Sequence, residues 1–135
     1  MIAVGGAMLL TGVMSAPAEA ITAKQRQLAR LVNEFRVSNA RSRLSLTAPL
    51  SRAAQRNARR MAQIQDVTHS SDLPCGRNWG AETVGIGDSV TQAFRRMKNS
   101  GDHRAHLLNR AAERVGTGVK RGGDDRFYVT VILCG

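Results

Sequence analysis

The sequence predicts an α+β domain, on three observations. The stretches 23–38, 48–65 and 90–98 carry apolar residues at helical spacing. Strand-like segments at 115–119 and 127–133 close the chain, separated by the turn-forming run Gly122-Gly123-Asp124-Asp125. A length of 135 residues with 42% hydrophobic content supports one core and no comfortable second one. Aromatic residues make up 4%, so aliphatic side chains must fill that core.

The first twenty residues read as a leader. Met1 to Ser15 are apolar and small, and Ala16-Pro17-Ala18 and Ala18-Glu19-Ala20 both have the small-residue pattern of a cleavage site. No Lys or Arg precedes Lys24, so the usual basic start of a secretory signal peptide is missing and its true beginning is expected upstream. The stretch is too short and too Gly-rich for a membrane-spanning helix. The expectation is a secreted mature domain over 21–135 with no membrane span.

Thr22 is a fitting N-cap for a helix over 23–38, whose Leu28, Leu31, Val32 and Phe35 share one face. Leu44 and Leu46 alternate with Ser45 in a short extended link. Pro49 suits the first turn of a second helix over 48–65. Its inner stripe is Leu50, Ala53, Ala54, Asn57, Ala58, Met61 and Ile64. Residues 73–80 form a loop, with Trp79 covering the core edge or a cleft. Asp88 or Ser89 caps the third helix, which buries Val90, Ala93, Phe94 and Met97. Asp102 is expected to cap a short turn through Leu108. Phe127 to Leu133 is the most apolar strand and is expected at the centre, buried on both faces.

Charge and cysteines narrow the partners and the compartment. The formal net charge is +10, with ten basic residues and one acidic between Lys24 and Arg60. Arg52, Arg56, Arg59 and Arg60 lie largely opposite the apolar stripe. They suit either a solvated face or a docking face for an acidic polymer. No zinc-finger spacing or aromatic platform points to specific nucleic-acid binding. Outside the cell Cys75 and Cys134 would oxidise to the one internal bridge available; the alternative is two unpaired small hydrophobes.

The run Ser100-Gly101-Asp102-His103-Arg104-Ala105-His106-Leu107-Leu108-Asn109, with Val115-Gly116-Thr117-Gly118-Val119 after it, resembles the G-H-R-x-x-(I/L)-L-N … V-G-x-G-V signature of bacterial CAP (SCP-like) domains. Thr68-His69-Ser70 and Ala81-Glu82-Thr83 are similar to two further family segments, with Ala81 and Thr83 replacing the usual Gly and Asn. Phe94 stands where the family has Trp, and Met97 where many eukaryotic members carry a second cleft glutamate. The resemblance implies an α-β-α sandwich with a short, mainly antiparallel central sheet. It also implies one shallow cleft holding His69, Glu82 and His103, with which Glu113 is grouped.

The implied function is a secreted binding or interaction module for a lipid, a cell-wall component or a protein. His69 and His103, with the carboxylate, could form part of a shell for a divalent cation such as zinc. A metal-assisted extracellular hydrolase is therefore a second reading, and a basic polyanion-binding protein a third. No serine sits in a G-x-S-x-G setting, so the pattern does not call for an enzyme.

Overall fold

The computed structural model describes residues 20–135 together with Gly5, Gly6 and Gly12. The signal peptide read over 1–20 otherwise lies outside the described residues. Helix α1 (Ala23–Ser38) begins at a capping box: Thr22 Oγ1 accepts from the Gln25 amide while the Gln25 side chain accepts from the Thr22 amide. Its Leu28, Val32 and Phe35 are buried. After the two-residue strand β1 (Ser45–Leu46), helix α2 (Ala48–Ile64) starts at Thr47 with proline in its first turn and stops at Gln65, whose φ is 53°.

The buried face of α2 is rotated from the predicted stripe. Ser51, Gln55 and Ala62 are buried, while Ile64 is 55% exposed. The reason lies on β3 (Arg114–Arg121), a strand paired on its outer side only with β1, at Ser45–Arg114 and Leu46–Val115. Beyond those two residues the strand's outer backbone groups meet side chains. The Gln55 amide donates to Val119 O and accepts from Val119 N, both at 2.8 Å. Gln25 donates to Thr117 O at 2.8 Å, and Ser51 Oγ accepts from Thr117 N. Turning these polar side chains inward satisfies buried backbone that has no neighbouring strand.

Strand β2 (Gly80–Gly87), helix α3 (Val90–Lys98), the short helix α4 (Gly101–Leu107) and strand β4 (Phe127–Cys134) complete the chain. The sheet order is β1-β3-β4-β2, antiparallel except for β1 against β3. Strand β4 is central as predicted. Its Val129, Val131 and Leu133 face α1, α3 and α4, and its Tyr128, Ile132 and Cys134 face α2. The result is an α-β-α sandwich. Strand β2, read from sequence only as a motif segment, is a full eight-residue edge strand.

Two capping details differ from expectation or decide between alternatives. Ser89, not Asp88, caps α3 through its bond to the Gln92 amide. Asp102 sits inside the first turn of α4, and Ser100 precedes that helix without a side-chain cap. The Cys75–Cys134 disulfide forms and ties the 73–79 loop to the end of β4. Trp79 packs half-buried at this end of the core, away from the cleft described next.

Candidate functional site

The edge position of β2 leaves one of its sides without a strand. Residues 82, 84 and 86 lie opposite Ile132, Thr130 and Tyr128, so their side chains stand on the α2 face of the sheet. Helix α2 itself lies over β3 and β4. The chain leaving α2 folds back beside β2 and is held there by two α2 side chains. Asn57 donates to Thr68 O at 3.0 Å, and Arg60 donates to His69 O at 2.7 Å. Asn57 is 4% exposed and also reaches Thr130 Oγ1.

This clamp sets His69 against Glu82. The Glu82 carboxylate, 8% exposed, accepts three hydrogen bonds: from His69 Nδ1 at 2.9 Å, from the Ser70 amide at 2.7 Å and from Ser70 Oγ. A carboxylate oxygen accepts, so Nδ1 of His69 is the donor in this pair. The imidazole itself is 59% exposed. The buried carboxylate thus fixes the orientation of a solvent-facing ring.

His103 arrives from the opposite layer. Thr83 and Gly85 face α3, where Thr83 Oγ1 meets the Met97 sulfur and Gly85 lies against Ala93 and Met97. Helix α4 then carries His103 to the rim. Burial lowers the His103 pKa below its ordinary value, and the charges of His69 and His106 lower it further against the opposing pull of Asp102. A cavity of about 330 Å3 opens here, with Val67, Val84, Ile86 and Met97 as its apolar lining and Arg96, Ser100 and His103 as its polar rim; His69 and Glu82 stand outside that lining. Val67, two residues before His69, lines the same cavity as His103, which brings the two segments to one region of the surface.

The structure brings His69, Glu82 and His103 to this edge and places other candidates elsewhere. Glu113 is exposed and precedes β3, at the far side of the sheet. It lines a separate pocket with Arg36, Arg41 and Arg110 and does not belong to the cleft. Its backbone is fixed there by pairing with Cys134 and Ser45. The arginines of α2 divide between two surfaces. Arg52 and Arg59 line a pocket with Thr22 and Gln25, whereas Arg56 and Arg60 line one with Ser70 and Asp72.

Among the described residues no three His, Cys, Asp or Glu side chains are grouped to hold a metal ion. Both Glu82 oxygens already accept bonds from His69 and Ser70. A catalytic zinc usually takes three protein ligands, and no such group is assembled among the described residues. Ser70, Asn57 and Val67 are the site residues that sequence reasoning missed. The usable signal was Asn57, an amide in an otherwise apolar stripe.

Comparison with known proteins gives one family. The model of the cysteine-rich secretory protein family, CAP, matches residues 29–134. No curated protein matches the chain by sequence. Among solved structures, it is similar to an outer surface protein from Borrelia burgdorferi, with a TM-score of 0.72 and 17% identity over 86% of this chain and 95% of that one. An extracellular SCP-domain protein from Bacillus anthracis gives 0.69 and 20%, covering 82% of this chain but 40% of the other. Venom allergen-like protein 4 from Schistosoma mansoni gives 0.66 and 12%, covering 84% and 88%. At these identities the likeness is one of fold.

Proposed function

The chain belongs to the cysteine-rich secretory protein (CAP) family, and from that premise we propose that it is a secreted binding module for an amphipathic, lipid-like ligand. The ligand's apolar part lies on Val67, Val84, Ile86 and Met97, and its polar end meets His103 and the oriented ring of His69. The observation that carries this reading is an apolar-lined cavity with Arg96 and His103 on its rim, whose Val67 wall lies two residues along the chain from the His69 ring held by Glu82. Such sites combine apolar contact area with a few placed polar groups. A neutral imidazole can donate or accept a hydrogen bond, and burial favours that form at His103, which suits a hydroxyl or carboxyl head.

The test uses a fluorescent fatty acid titrated into the full chain. Val67 is 43% exposed, so Val67→Asp should spare the fold while placing a charge in the lining. We expect about a tenfold loss of affinity from that variant, equivalent to roughly 1.4 kcal/mol, and a smaller loss from His103→Ala. Unchanged affinity in both variants would reject the cleft as the binding site.

A further inference from the structure

We infer that a second site, at the opposite side of the sheet, binds a phosphate group between Arg36, Arg41, Arg43 and Arg110. These arginines converge on a cavity of about 310 Å3, where each water would take up roughly 30 Å3. Arg36 is 1% exposed. Its Nε donates to Ser42 O at 2.8 Å, and its Nη1 to Leu107 O and Asn109 O at 2.9 Å. Arg41 donates from Nε to Leu108 O at 2.7 Å and from Nη1 to Asn39 O at 3.1 Å.

These bonds satisfy one flank of each guanidinium and leave Nη2 of both without a protein partner. Among the described residues no buried side-chain nitrogen lacks a hydrogen bond, so neither Nη2 is fully enclosed; Arg36, 1% exposed, meets the cavity through a narrow opening, while Arg41 is only half-buried. Arg43 and Arg110 add two exposed guanidiniums to the same walls. Among the described residues none of the four makes an ion pair. A clamp on backbone carbonyls explains Nε and Nη1 of Arg36. It does not explain a buried cation without a counter-ion, beside three more cations.

A bound oxyanion would supply that counter-ion. The guanidinium fork matches tetrahedral and planar oxyanions alike, and the charge selects between them. Four cations stand against one carboxylate, Glu113, so a phosphate dianion compensates more of the excess than a carboxylate does. The five carbonyl bonds hold Arg36 and Arg41 in place before any ligand arrives, which reduces the ordering cost of binding. The site is independent of the cleft at β2, since the two lie at opposite edges of the sheet.

The experiment is a phosphorus NMR titration of the full chain with inorganic phosphate at constant ionic strength. Saturable binding is expected. The Arg43→Ala/Arg110→Ala pair, both exposed, should weaken it about tenfold or more, and Glu113→Gln should tighten it a few-fold. Arg52→Ala/Arg56→Ala removes the same charge from α2 and should change little. Absence of saturation overturns the inference, as does an equal loss from the two double variants. Competition with glycerol 3-phosphate then separates the sources. Displacement assigns the site to esterified phosphate, and retention of inorganic phosphate assigns it to the free ion.

Discussion

Three donors, His69 Nδ1 and the amide and hydroxyl of Ser70, meet on the buried Glu82 carboxylate. Glu82→Leu removes the acceptor for the two N–H groups on Oε1 and for the Ser70 hydroxyl on Oε2. Leaving a buried polar group unpaired costs about 1–3 kcal/mol, and the denaturation midpoint of this variant should fall accordingly. His69 should lose its fixed orientation with it. His103 makes a prediction in pH. Its imidazole is harder to protonate in the fold than in the unfolded chain, whose ordinary value is 6.5. Stability from this group is complete above that value and declines as the pH falls through it toward the lower folded value, because the unfolded chain takes up the proton first. Thermal denaturation between about pH 7.5 and 5 should show a decline that His103→Gln makes shallower. An identical pH profile in the variant would remove His103 as the cause.

The close seating of α2 on β3 is decided by two glycines. A Cβ at Gly116 would run into the Leu50 backbone, and one at Gly118 into the Ala54 carbonyl oxygen. Neither obstacle is the end of a flexible side chain, so the helix itself would have to move. That motion would also pull Gln55 from the Val119 backbone it pairs. Gly118→Ala should therefore destabilise by about 2–4 kcal/mol, in the range of overpacked core sites. Gly101→Ala is the control. It lies in the first turn of α4 with open space around it, and should be neutral or stabilising by a few tenths of a kcal/mol. Similar losses in both would show that glycine flexibility, and not helix contact, sets the cost.

Across the whole molecule the disulfide joins positions 59 residues apart. In the chain-entropy account a loop of that length contributes about 4 kcal/mol. For a domain of this size the loss corresponds to a drop in Tm of roughly 15 °C. Reduction under native conditions, followed by calorimetry, should show a fall of that order. The anchored loop also holds Trp79 over the end of the core, where Gly135 N donates to its carbonyl oxygen. Reduction should therefore shift the tryptophan emission before global unfolding.

Local spacing and residue type were enough to place α1 at its true bounds, to put β4 at the centre and to pair the two cysteines. Each depends on interactions within a few residues, or on there being one pairing available. The family resemblance also singled out His69, Glu82 and His103 as cleft residues. Neighbouring layers settled the remainder. The face of α2 turns on β3's missing partner, an absence that no window of α2 itself contains. Glu113 stands next to the V-G-x-G-V strand in sequence, yet sheet order carries it to the side away from β2. Asn57 and Arg60 hold the His69 segment because a helix exit folds back on its own helix. The basic pocket around Arg36 joins α1, the 40–43 link and the turn after α4, segments some seventy residues apart in the chain. Periodicity reports which side of an element is apolar; which charges and backbone edges that side will meet depends on long-range packing.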